Sequence, residues 1–191
     1  MPLKFAGFLF AVSLSALAAD APSYDYRVLA TTRTSTMEKE MNEAARAGYS
    51  FAAVTGGETS VGGSEAVVVM VRDLSAETES NKRYRLLATL RTSTMQKELQ
   101  QAGDEGYEYR AQTVFETSFG GHEVVVILER NLNAAPVRRL YRVQSTSRTS
   151  TMQKELRRAG ESGFRLLGLT VSKTSFGGAE VLCILGKTVE E

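Results

Sequence analysis

The chain is poor in the residues from which metal, disulfide and nucleophilic sites are usually built. It has one cysteine, one histidine, three prolines and no tryptophan in 191 residues. One cysteine closes no internal bridge, and a lone histidine founds no His-rich metal centre. An excess of one charge is also missing, since 23 basic and 22 acidic side chains leave a formal charge of +1. That balance argues against a protein whose main work is gripping nucleic acid. No apolar run reaches the roughly 20 residues of a membrane span. Apolar residues at 42% and charged residues at 24% are ordinary globular usage, which excludes a disordered chain, a collagen and a disulfide scaffold.

The longest apolar stretch is Phe5 to Leu17, preceded by Lys4 and followed by Ala16-Leu17-Ala18. A positive start, a short apolar segment and a small-x-small site are the order of a secretory signal peptide. The expectation is that residues 1–18 are removed by cleavage before Ala19, leaving a periplasmic or secreted chain with no membrane span. No cysteine follows the site, so no lipid anchor is expected. Lack of disulfides is compatible with export, because the remaining chain is long enough to bury a core without staples.

What the sequence has in quantity is repetition. Tyr26-Arg27-Val28 returns as Tyr84-Arg85-Leu86 and Tyr141-Arg142-Val143. From those tyrosines three copies align without a gap for 45 residues, and 18 positions are the same in all three. Matching on that scale is an internal repeat rather than chance. The copies occupy residues 23–73, 82–131 and 138–189, joined by a polar, acidic connector and by one that contains Ala-Ala-Pro.

Each copy reads strand, helix, strand, strand. The first strand alternates, with Tyr26, Val28 and Ala30 on one face and Arg27, Leu29 and Thr31 on the other. Arg-Thr-Ser-Thr-Met follows at 33–37, 91–95 and 148–152. Ser35 with Glu38, Ser93 with Gln96 and Ser150 with Gln153 fit a capping box. Met37, Met41 and Ala44 share a helix face, as do Met95, Leu99 and Ala102, and Met152, Leu156 and Ala159. Gly48, Gly106 and Gly163 suit the left-handed residue that closes a helix. Glycine pairs at 62–63, 120–121 and 177–178 suit hairpin turns. The third strand is apolar on both faces (Ala66 to Val71, Val124 to Leu128, Val181 to Leu185), the mark of a central strand covered on both sides. It therefore belongs between the first and second strands, with the helix across one face, in a split β-α-β unit. The expected fold class is α+β: three such units packed with pseudo-threefold symmetry, helices outside. A single nine-stranded sheet is the alternative. A unit of about 50 residues is marginal alone, so the copies should pack together.

The threefold identities are largely polar, which packing does not ask for. Arg33, Ser35 and Thr36, with Arg91, Ser93 and Thr94 and with Arg148, Ser150 and Thr151, recur at the helix starts. Two readings compete. In the structural one Arg33 pairs with Glu65, Arg91 with Glu123 and Arg148 with Glu180, because the end of the first strand lies beside the start of the third. In the functional one a helix start, an arginine and hydroxyls cradle a small anion. Both readings use the same arginines.

Other candidates are weaker. The Thr-Ser-x-Gly-Gly-x-Glu tips lack the lysine and following helix of a phosphate loop. His122 has Ser64 and Ala179 as counterparts, so the repeat does not depend on it. Cys183 lies in an apolar strand, where it reads as a buried hydrophobe. No nucleophile–base constellation can be assembled, no cofactor is implied, and only the three glutamates leave room for carboxylate chemistry. The second strand carries small side chains in copy one (Ser50, Ala52, Val54), polar ones in copy two (Glu108, Arg110, Gln112) and mostly apolar ones in copy three (Arg165, Leu167, Leu169, Val171). Copy three is thus either the most buried or the bearer of a partner surface.

Tyr-Arg-Val, a helix ending in Ala-x-x-x-Gly-Tyr, and a closing apolar strand together resemble a small bacterial exported β-α-β-β repeat family of unknown function. The resemblance implies the β-α-β-β unit and brings no activity or catalytic residue. The functional expectation is an exported non-enzymatic structural or interaction protein with a protein partner. The alternative is a binder of small anions.

Overall fold

In the first unit, alternating residues build β1 (Tyr24–Thr31), the amphipathic run builds α1 (Thr34–Arg46), and β2 (Ser50–Thr59) and β3 (Gly63–Asp73) follow. The second unit is β4 (Lys82–Thr89), α2 (Thr92–Asp104), β5 (Glu108–Glu116) and β6 (His122–Asn131); the third is β7 (Arg139–Thr146), α3 (Thr149–Glu161), β8 (Arg165–Lys173) and β9 (Ala179–Thr188). The computed structural model describes residues 23–59, 63–75, 81–89, 91–116, 122–173 and 179–189. The segment read as a signal peptide and most of the glycine hairpin tips lie outside these residues.

The fold is α+β, with three antiparallel three-stranded sheets of order β1-β3-β2, β4-β6-β5 and β7-β9-β8. The third strand of each unit is central, as its two apolar faces require, and the sheets do not merge into one. Gly48, Gly106 and Gly163 have φ of 87°, 85° and 80°. Glycine accepts this left-handed conformation without strain, so it stops each helix and turns the chain into the next strand. The repeated Tyr-Arg pair also has a structural reason. The Arg27 guanidinium lies 4.5 Å from the Tyr49 ring centre, Arg85 4.4 Å from Tyr107 and Arg142 4.4 Å from Phe164, tying each first strand to the aromatic after each glycine.

The helix starts differ from the capping-box expectation. Arg33, Arg91 and Arg148 are the N-cap residues, extended at φ −129°, −113° and −118°, and none makes a side-chain cap. The preceding threonine decides this: Thr31, Thr89 and Thr146 Oγ1 each accept the arginine N–H at 3.1 Å. That small turn holds the arginine extended, so the helix begins at the next residue and Ser35, Ser93 and Ser150 fall inside it.

Each unit's core is completed by the unit that follows. Met37, Met41, Val68 and Met70 of the first unit cluster with Tyr84 and Ile127 of the second. Met95, Leu99, Val126 and Leu128 cluster with Tyr141, Leu182 and Ile184 of the third. Among the described residues the third unit's own cluster is Ala159, Cys183 and Leu185, with Met152, Leu156 and Phe164 partly buried. Units therefore join in series. Among the described residues α1 packs on β4 and α2 on β7, with β2 meeting β5 and β5 meeting β8; the packing of α3 on β1 that would close a ring is not among these contacts.

Candidate functional site

Among the described residues, the junctions between units carry a repeated network of side-chain hydrogen bonds. Asn42 on α1 donates to the Tyr84 carbonyl and accepts the Tyr84 N–H, both at 2.9 Å, and Glu38 accepts the Leu86 N–H at 2.8 Å. Side chains of one helix thus satisfy the outer edge of the next unit's first strand, a position where unpaired backbone groups would otherwise invite aggregation. The second junction repeats the device. Gln96 donates to the Tyr141 carbonyl at 2.9 Å and accepts the Val143 N–H at 2.8 Å, while Gln100 accepts the Tyr141 N–H at 3.1 Å. Glu38 and Gln96, read from sequence as capping-box partners, hold the next unit instead.

A tyrosine completes each junction. Tyr84 is 1% exposed, and its hydroxyl accepts the Phe51 N–H at 2.8 Å where a bulge interrupts β2. Tyr141 is 4% exposed, accepts the Tyr109 N–H and donates to the Tyr107 carbonyl, both at 2.9 Å. Burial raises both phenols, Tyr141 to about 12, so both remain neutral donors at physiological pH.

The first junction also encloses a buried charge that sequence reading missed. Glu129 is 4% exposed and directly follows the apolar run Val124 to Leu128 of β6. It accepts the Tyr84 hydroxyl at 2.8 Å and lies 2.6 Å from Arg110 and 3.2 Å from Lys82. Burial pushes its carboxyl up, but the hydrogen bonds from Arg110 and Tyr84 and the nearby positive charges outweigh this and hold it below the usual range. Its counterparts are Val71 and Gly186; an acid at an apolar repeat position is the signal that could have found it.

The sequence-derived site residues lie at the three helix starts, one per unit. Arg33, Arg91 and Arg148 are exposed, as are Ser35, Ser93, Ser150 and Thr151, while Thr36 and Thr94 are half-buried. The strand ends meet as expected, with Thr31 opposite Ala66, Thr89 opposite Val124 and Thr146 opposite Val181. This brings Glu65, Glu123 and Glu180 to the same end of their sheets as the arginines. Among the described residues no ion pair joins Arg91 to Glu123 or Arg148 to Glu180, and Glu180 takes the Ser145 hydroxyl. The glutamates belong to three separate sheets. Cys183 is buried beside Met152, and burial raises its thiol. Among the described residues no group of three His, Cys, Asp or Glu side chains could hold a metal, and no helix is long and apolar enough to cross a membrane.

Among the described residues, large apolar side chains are exposed on the last unit. Leu166, Leu167, Leu169 and Val171 of β8 are 40–63% exposed. At the opposite end Tyr24, Tyr26 and Val28 of β1 are 50–65% exposed. No family model, curated protein or solved structure matches this chain.

Proposed function

We propose that this chain is an exported, non-enzymatic interaction protein: a row of three interlocked units that offers apolar surface to a protein partner. The observation that carries the reading is the exposed run on β8, where Leu166, Leu169 and Val171 oppose Leu185, Cys183 and Val181 and so share one face of the sheet. Continuous apolar exposure is uncommon on monomeric soluble proteins and marks contact surfaces. The experiment is photo-crosslinking in the producing cell, with a photoreactive residue at position 169. Protein adducts at 169, and none at exposed Lys39 on the outer side of α1, are expected. Equal adducts at both, or none at 169, would contradict the reading. Export is tested by the mass of the purified chain, expected to begin at Ala19.

A second reading, a small-anion binder, is favoured by three exposed arginines at helix starts that carry no side-chain cap. Free first-turn N–H groups and the helix dipole both attract anions. A ligand held at a hundred times its Kd stabilises the fold by about 2.7 kcal/mol. Phosphate, sulfate or a dicarboxylate should then raise the Tm above a chloride control of equal ionic strength, and Arg91→Gln should reduce the rise. No rise with any of them would remove this reading.

A further inference from the structure

We infer that copies of this chain join head to tail, with α3 and β8 of one copy holding β1 of the next. This rests on the interaction reading above and names its partner. The argument is that, among the described residues, the chain makes this junction twice and leaves both halves of a third unmatched, one on the first unit and one on the last.

The head half is the outer side of the first unit. Tyr26 is the counterpart of Tyr84 and Tyr141, and the shared strand register gives it the same orientation: Tyr26 opposes Val71, as Tyr84 opposes Glu129 and Tyr141 opposes Gly186. Tyr84 and Tyr141 are buried against the preceding unit, whereas Tyr26 lies on the first of the described units and is 62% exposed. Its neighbour Val28 is 65% exposed, though its counterparts Leu86 and Val143 are half-buried.

The tail half is the outer side of the third unit. The Phe51 and Tyr109 N–H groups receive the junction tyrosines, and Leu166 is their counterpart, at the same bulge in its strand. Tyr109 and Gln112 cover the third unit at Gly168, so close that an added Cβ there would strike both. Their counterparts Leu166 and Leu169 would cover Ala53 of a following first unit, which is exposed. The helix agrees. A Cβ on Gly103 of α2 would strike the Arg139 carbonyl and lie 2.9 Å from the Tyr141 ring, while a Cβ on its counterpart Gly160 of α3 meets nothing. Gln153, the counterpart of Gln96, is exposed and keeps an amide able both to donate to and accept from a strand edge. Arg157 replaces Asn42 and Gln100; it can donate to the next strand's carbonyls but cannot accept its N–H.

A head surface that fits a tail surface makes a heterologous interface. Such an interface yields a ring if the rotation closes and a filament if it does not.

The test uses the full chain, expressed with its N-terminus intact so that any natural processing occurs. Sedimentation velocity is run from nanomolar to high micromolar concentration on wild type, Tyr26→Asp and Leu169→Asp. Both substituted side chains are more than half exposed, so unchanged melting curves verify folding. Wild type should gain mass with concentration, and each variant alone should stay monomeric. An equimolar mixture of the variants should form a dimer and stop there, because Leu169→Asp keeps a sound head and Tyr26→Asp a sound tail. A wild type monomeric throughout, variants that still assemble, or a mixture that stays monomeric would each overturn the inference. A monomeric wild type that still crosslinks to another protein at position 169 would overturn self-association alone and leave the interaction reading standing.

Discussion

The phenol oxygen of Tyr84 lies 2.8 Å from the backbone nitrogen of Phe51, across the boundary between two repeats. The same contact joins Tyr141 to Tyr109 at the next boundary, while Tyr26, on the first of the described units, is 62% exposed. One residue type thus has three environments, and substitution should separate them. Tyr84→Phe removes the partner of a backbone N–H and of a buried carboxylate, and should cost about 1–3 kcal/mol. Tyr141→Phe should cost a similar amount, while Tyr26→Phe should stay within about 0.5 kcal/mol, as exposed positions do. Urea unfolding at equal protein concentration measures all three.

Glu129 gives the stability a pH dependence of known sign. Its carboxyl is held below the usual range in the folded chain. Its contribution is therefore complete above the unfolded value, about 4.3, and is lost as the pH falls through the lower folded value. Glu129→Gln should destabilise by about 1–3 kcal/mol at neutral pH, since Arg110 and Lys82 keep partial access to water. The gap between wild type and variant should be flat at higher pH and narrow on acidification below the carboxylate range. A gap that widens in acid would show that the carboxyl is held up rather than down.

Gly103 and Gly160 occupy the same place on successive helices and should respond oppositely to alanine. In open space the change gains helix propensity, so Gly160→Ala should stabilise by about 0.5–1 kcal/mol. At position 103 the new methyl meets the Arg139 backbone and the Tyr141 ring, so Gly103→Ala should lower stability and loosen the third unit. Thermal melts of the two variants make the comparison.

Cys183 reports on the third unit without any substitution. Its thiol is buried in the smallest of the three cores and raised by that burial, and the thiolate is the reactive form. Native protein should react slowly with a thiol reagent, and the rate should rise as the third unit opens. Rapid labelling of fully native protein would contradict the packing of β9.

Much of the unit was legible because its cues are local. Alternation marked β1, the Met37–Met41–Ala44 spacing marked α1, and Gly48 marked the helix end. A strand apolar on both faces could only be central, which fixed the β1-β3-β2 order. The junction was less legible, because periodicity says that a face is covered but not by which neighbour. Glu38 and Gln96 matched a capping box by spacing, yet the Thr31 and Thr89 turns start the helices earlier and free both side chains to reach the next strand. Glu129 was missed because the apolar pattern of β6 ends just before it. Tyr26 and Leu166 look like their counterparts in sequence. What distinguishes them is position in the row of described units, since Tyr26 belongs to the first and Leu166 to the last.

The account holds that each unit is finished by the next, and hydrogen exchange at three equivalent amides tests this most directly. At concentrations where the chain is monomeric, the Phe51 and Tyr109 amides, each bonded to a buried phenol, should exchange as slowly as the central strands. The Leu166 amide, on the last of the described units, should exchange orders of magnitude faster. Equal rates at all three would contradict the account, because the tyrosine of the next unit would then not be what protects the bulge.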